Sequence, residues 1–242
     1  QCYAAFNEVE EARYIADRIQ ALGERGFARS EAAVLYRSNA QSRALEEAFL
    51  QADIPYRIYG GQRFFERAEI KNALGYLRLI ANRDADAAFE RVVNTPTRGI
   101  GQRTLDALRE RARSRGIPLW RAAEEVTTDG SLAARAAGAL RKFLDLINRL
   151  DAETAELPLW ERTEHVLHHS GLLDHHAREK GEKAQQRVEN LRELVTATRQ
   201  FGDDEPEEAE EDPLTAFLDH AALDAGDAQA DAHQDAVQMM TL

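Results

Sequence analysis

The residues with the most chemistry to offer are a short glycine turn that opens a helix. Gly99-Ile100-Gly101 is followed at once by helix-forming residues, flanked by Arg98 and Arg103, with Thr104 in the first helical turn. Backbone N–H groups at a helix start, together with the helix dipole, attract an anion, and the arginines and the hydroxyl add donors for a phosphate. Amides and cations without base-edge readers suit sequence-independent duplex binding. The same residues also suit a turn whose glycines merely let two helices pack closely, and the residues alone leave both readings standing. The G-x-G is not a dinucleotide fingerprint, because no strand precedes it and the third glycine is absent. No G-x-x-x-x-G-K-[ST] occurs in the chain, so it holds no nucleoside triphosphate in the P-loop manner.

Other constellations carry less. His165, His168, His169, His175 and His176 crowd one stretch, and His165 and His169 share a helix face. Neither an H-E-x-x-H nor a cysteine supports them, so no metal is expected and a partly exposed polar face accounts for the cluster. Cys2 is the single cysteine, which excludes an internal disulfide. With no G-x-S-x-G elbow, and with carboxylates mostly in solvated runs, no catalytic residue is assigned.

The elements that must position the turn follow from periodicity. Asn7 and Glu10 read as a capping box for a helix through Val9, Ala12, Ile15, Ala16, Ile19 and Leu22. Residues 32–36 and 56–59 read as strands, with a helix through Leu45 and Phe49 between them. That helix–strand rhythm belongs to a parallel α/β sheet. From Gly61 onward the pattern is helical, with helices through Ile70–Ile80, 88–93 and Leu105–Ala112, then near 119–126, 131–150, 159–170 and 183–201. Eight of the eleven residues at 202–212 are acidic, which predicts a disordered or solvated linker before a helix at Pro213. Residues 236–242 again look like a buried strand. Strand-bearing ends around a helical block predict a domain inserted into an α/β sheet. An apolar strand at the very end, with no initiator Met, suggests a piece of a larger protein.

Charge is uneven. The net of −12 combines 19 Lys+Arg against 16 Asp+Glu in residues 1–115 with 12 against 27 in residues 116–242. All but one of the basic residues in the first part are arginine, the side chain suited to phosphate forks. Ordinary surface charge on an arginine-rich protein explains this as well as an anion-binding surface does. No apolar run reaches the ~20 residues that span a bilayer, and no signal-peptide core opens the chain, so a cytoplasmic location is expected.

Three segments, AVLYRSNAQSRALEEAF at 33–49, YRIYGGQRFFERAEIKNALGYLRLIAN at 56–82 and NTPTRGIGQRTLD at 94–106, closely resemble the UvrD/Rep/PcrA group of superfamily 1 DNA helicases. The resemblance continues through 179–201 and DAVQMMTL at 235–242, and so covers essentially the whole chain. It implies a mainly α fold: a helical 2B-like domain at 62–232, inserted into a partial RecA-like α/β portion formed by the two ends. Residues 1–61 would be the first part of the 2A subdomain and residues 233–242 its return strand. The resemblance implies a 3′→5′ helicase of mismatch and nucleotide-excision repair, driven by ATP and Mg²⁺ that bind outside this chain. Its partners would be a single-strand/duplex DNA junction and repair proteins, with no membrane. Single-strand contacts carry over to Arg37, Asn39 and Arg63, and duplex contacts to Gly99, Ile100, Gly101 and Thr104 with Arg98 and Arg103. Lys71 and Arg78, seven residues apart on one helix face, are further duplex candidates. The acidic run at 203–212 would lie away from the DNA face. The competing expectation is a self-contained helical DNA-binding or protein-interaction module without a motor.

Overall fold

A computed structural model of the chain describes residues 2–204, 212–226 and 234–241. The chain divides into two compact units, Gln1–Arg67 with Ala221–Leu242, and Ala68–His220.

The first unit is α/β. Its helix α1 (Glu8–Glu24) begins at Asn7, whose Oδ1 accepts the Glu10 N–H at 2.8 Å. The Glu10 carboxylate reaches one residue further back than a capping box requires, to the Phe6 N–H at 2.7 Å. Then follow β1 (Ala33–Tyr36), α2 (Ser42–Gln51) and β2 (Tyr56–Tyr59), and β3 (Val237–Thr241) returns from the far end of the sequence. All three strands are parallel, and β3 lies in the middle: Val34 and Ile58 both stand opposite Met239. Alternation along the strands sends Tyr36, Tyr56, Ile58, Val237 and Met239 into one core with Ala12, Ala16 and Ile19 of α1 and Leu45 and Phe49 of α2. Asp235 anchors the entry to β3, its carboxylate accepting the N–H groups of Ser30 (2.8 Å) and Arg29 (2.9 Å). Those two donors, Ser30 first, hold the Asp235 carboxyl below the usual carboxylate range.

The second unit is helical throughout its described elements: α3 (Ala68–Ala81), α4 (Asp86–Val92), α5 (Gln102–Arg115), α6 (Leu119–Thr128), α7 (Ala134–Thr154), α8 (Leu159–His169), α9 (Leu172–Arg178), α10 (Glu182–Asp204) and α11 (Pro213–Gly226), the last running on past the unit's end. The mainly α architecture with a small parallel sheet matches the sequence expectation. Gly171, at φ +79°, ends the helix expected at 159–170 and starts α9 as a separate element. The acidic run falls largely on 205–211, outside the described residues. No described helix is long and apolar enough to cross a membrane.

Apolar stripes from successive helices converge on Phe89, which meets Phe143 edge-on at 5.6 Å and Trp120 at 6.4 Å. Gly75 of α3 lets α4 approach closely, since a Cβ there would lie 2.8 Å from Cγ1 of the fully buried Val92. Gly75→Ala is therefore expected to lose about 1–3 kcal/mol to overpacking, read as a lowered denaturant midpoint at unchanged slope.

Candidate nucleic-acid interface

The turn at 94–101 is built from the inside out. Ile100 is 1% exposed and plugs the helical core. The Asn94 Oδ1 accepts the N–H groups of Arg98 (2.7 Å) and Ile100 (3.3 Å), folding the segment back on itself. Arg98 turns inward. Its guanidinium donates to the carbonyls of Val92 (3.2 Å), Pro96 (3.0 Å) and Ser170 (2.8 Å) and to the Tyr76 hydroxyl (2.5 Å), and it lies over the Tyr76 and Phe143 rings. Tyr76 donates its own proton to the Thr95 carbonyl at 2.5 Å. Burial pushes the Tyr76 phenol up to about 12 against the pull of Arg98, so the hydroxyl stays a neutral donor.

This inner clamp holds the glycines outward. Gly99 is exposed with φ +78°, a conformation that favours glycine on its own account. Gly101 is the N-cap of α5 in ordinary extended backbone, φ −88° and ψ 173°, which any residue adopts. A Cβ at either position would meet nothing within 4 Å. Close helix packing, the alternative the sequence allowed, does not explain these glycines; Gly75 shows what a packing glycine looks like here. Above them the N–H groups of Gly101, Gln102 and Arg103 have no acceptor among the described residues, as the first turn of a helix requires. Thr104, 6% exposed, closes the turn by donating its N–H to the Gly101 carbonyl at 2.9 Å.

The cations expected around the turn divide into two kinds. Arg103 is exposed and its guanidinium pairs with no described acceptor, whereas Arg98 is spent on the fold. On α3, Lys71 is half-buried and pairs with no described acceptor, and the exposed Arg78 donates to the Leu218 carbonyl at 3.3 Å. Sequence reasoning missed two further cations. Arg135 and Lys142 of α7 are exposed and unpaired among the described residues, and with Arg98 they line a groove of ≈ 600 Å³ floored by Ala134, Gly138 and Ala139. Their seven-residue spacing, with only small side chains between them on that face, was the available signal.

The three expected single-strand contacts lie in the first unit. Arg37 follows β1, exposed, its N–H held by the Gln41 Oε1 at 3.0 Å. Asn39 is partly exposed, and its carbonyl accepts from Arg67 Nη1 at 2.7 Å. Arg63 stands differently: it is 4% exposed, donates from Nε to the Tyr56 hydroxyl at 2.9 Å and lies 3.8 Å from Glu46. Glu46, also buried, accepts from the Ser42 hydroxyl (2.6 Å) and the Phe64 N–H (3.1 Å) and faces Arg67 at 3.9 Å. Burial raises the Glu46 carboxyl above its ordinary value, while Ser42, Arg67, Phe64 and Arg63 pull it back. Arg67 also donates to the Ser42 hydroxyl at 2.6 Å. One buried network thus holds the Asn39 turn and the 62–67 segment together.

Comparison with known proteins places the chain in a family. Over 240 residues the chain is 61% identical to DNA helicase II of Escherichia coli, and over 241 residues 58% identical to DNA helicase II of Haemophilus influenzae; each match takes in 99% of this chain and 33% of the relative. It is 37% identical over 247 residues to the ATP-dependent DNA helicase PcrA of Bacillus subtilis, again 99% of this chain and 33% of that protein. The chain thus spans about a third of the length of the curated relatives it matches. A model of the UvrD-like helicase C-terminal domain matches residues 1–242, and to that family the chain belongs.

Proposed function

We propose that the chain is the DNA-gripping part of an ATP-dependent 3′→5′ DNA helicase of mismatch and excision repair, working in the cytoplasm. In this reading the helical unit is the 2B subdomain and the α/β unit is part of 2A. The 2B unit holds duplex phosphates on the α5 N-terminus; Arg37 and Asn39 meet the single strand. Arg63 and Arg98 act as positioning residues, because their guanidiniums are engaged with protein acceptors. The observation that carries the proposal is the pair of glycines with open space where a side chain would stand, beside amides without acceptors. Rigid N–H donors approach a phosphate closely only where no Cβ intervenes.

The residues present do not fit the nucleotide. The glycine turn that opens α5 leads into no lysine, and Arg98 is folded away from it. We therefore assign ATP and Mg²⁺ to polypeptide outside this chain and route no step through them.

Arg103, Arg135 and Lys142 supply the field. Reversing the charge of Arg135 and Lys142 in the intact protein is expected to weaken duplex binding evenly across sequences. The slope of log K against log[salt] should flatten by about one for each phosphate that the variant no longer neutralises. Fluorescence anisotropy with two unrelated duplexes over a salt series checks this. An unchanged slope would remove the α7 groove from the DNA path.

A further inference from the structure

The junction of α9 and α10 holds ligand chemistry that the fold does not use. His175 and His176 sit near the end of α9, and Glu179 caps it in extended backbone (φ −68°, ψ 151°). That break folds the carboxylate back onto both rings. Glu179 Oε1 lies 3.4 Å from His175 Nε2 and 3.5 Å from His176 Nδ1, and the three atoms lie within 4.8 Å of one another. His176 is 7% exposed, yet neither of its ring nitrogens has a hydrogen-bond partner. A buried imidazole normally satisfies at least one nitrogen, so this ring carries an unused lone pair in a place sealed from water.

The spacing says what that lone pair suits. A zinc-type ion about 2.0–2.1 Å from each tetrahedral ligand sets neighbouring ligand atoms roughly 3.3–3.4 Å apart; the two edges from Glu179 Oε1, 3.4 and 3.5 Å, lie close to that length, and the edge between the histidines is within 4.8 Å. The second Glu179 oxygen is already taken: Arg187 of α10 donates to Oε2 at 2.5 Å. An outer-shell donor of this kind orients a ligating carboxylate and leaves Oε1 for the ion. The Arg187 charge stands against a cation, and the Glu179 carboxylate between them offsets it. The other histidine pair is differently engaged. His165 and His169 stack at 3.9 Å, His165 Nε2 meets Glu153 at 2.9 Å, and His169 Nδ1 meets the His165 carbonyl at 3.0 Å.

We propose that His175, His176 and Glu179 form a three-ligand site for a zinc-type divalent cation, buried on the His176 side and with a fourth position open to water beside the exposed His175. The ion would fasten the end of α9 to its Glu179 cap, which Arg187 of α10 already holds through Oε2. This replaces the expectation of a merely polar histidine face for that end of the cluster, and it does not depend on the DNA-binding reading.

The test titrates Co²⁺, then Zn²⁺, into the intact, untagged, nucleotide-free protein in Mg²⁺-free buffer. One equivalent of Co²⁺ should give visible ligand-field bands of low-coordinate cobalt, and Zn²⁺ should abolish them. His175→Ala and Glu179→Gln should each weaken binding at least 10-fold, the cost of losing one of three ligands, while His165→Ala changes nothing. Stoichiometric Zn²⁺ should raise Tm in the wild type and not in the two ligand variants, by mass action on the folded state. The ligand variants keep the buried His176 in place, so both remain foldable. Absence of stoichiometric cobalt bands, or equal affinity in wild type and both ligand variants, overturns the site.

Discussion

Glu46→Ala is expected to cost about 3–5 kcal/mol of stability, the largest single loss among the substitutions considered for the first unit. The change leaves Arg63 and Arg67 facing each other in a buried space without their shared counter-charge, and it orphans the Phe64 N–H. Glu46→Gln should cost less, about 1.5–3 kcal/mol, because the amide oxygen can still accept from Phe64 although the counter-charge to Arg63 and Arg67 is lost. Burial raises the Glu46 carboxyl in the folded state against the pull of Ser42, Arg67, Phe64 and Arg63. The sign for pH follows. A carboxyl raised in the folded state contributes most below its unfolded value, near 4.5, and that contribution fades as pH rises through the folded value. Equilibrium denaturation of wild type and both variants, at pH 5 and pH 8, checks size and sign together. Equal losses in the alanine and glutamine variants would show that charge, not hydrogen bonding, holds the network.

Gly101→Asp should move binding and stability in opposite directions. Aspartate is a strong N-cap, and its charge complements the dipole at the α5 start, so melting should stay level or rise by a few tenths of a kcal/mol. The same carboxylate projects into the space where a phosphate would sit and repels it. Removing one or two charge-assisted hydrogen bonds at about 1.5–3 kcal/mol predicts duplex affinity lower by roughly 10- to 100-fold or more. Gly101 is a cleaner probe than Gly99, whose φ of +78° makes any side chain strained regardless of DNA. Anisotropy and thermal melting on the same samples decide the matter. A variant that binds duplex like the wild type would sink the duplex reading of the turn.

Much of the scaffold was legible because it rests on local or periodic signals. The Asn7 cap and the apolar run that became β3 each depend on residues within a few positions. The glycine turn was legible as a turn, but the open space around each Cβ, which sets Gly99 and Gly101 apart from the packing glycine Gly75, was not. Side-chain direction was not legible. Arg98 faces inward because Tyr76, 22 residues earlier, and Ser170, 72 residues later, supply acceptors. Arg63 is drawn down by Tyr56 and Glu46 in the same way. In both, an arginine beside a functional motif reads as a ligand-binding cation until tertiary partners claim it. His176 escaped for the converse reason, since sequence shows a cluster but not that one member is sealed from water.

The middle place of β3 in the sheet has a consequence for biogenesis. β1 and β2 are not paired to each other; the gap between them is one strand wide and is filled by residues that leave the ribosome after the whole stretch 60–236. During vectorial synthesis the nascent sheet therefore waits with two unfilled ladder edges, a template for mispairing, while the helical insert has already emerged. Emergence of β3 completes its ladders with β1 and β2 in one event, so a stop between α11 and β3 would leave a helical body attached to two strands that lack their shared partner.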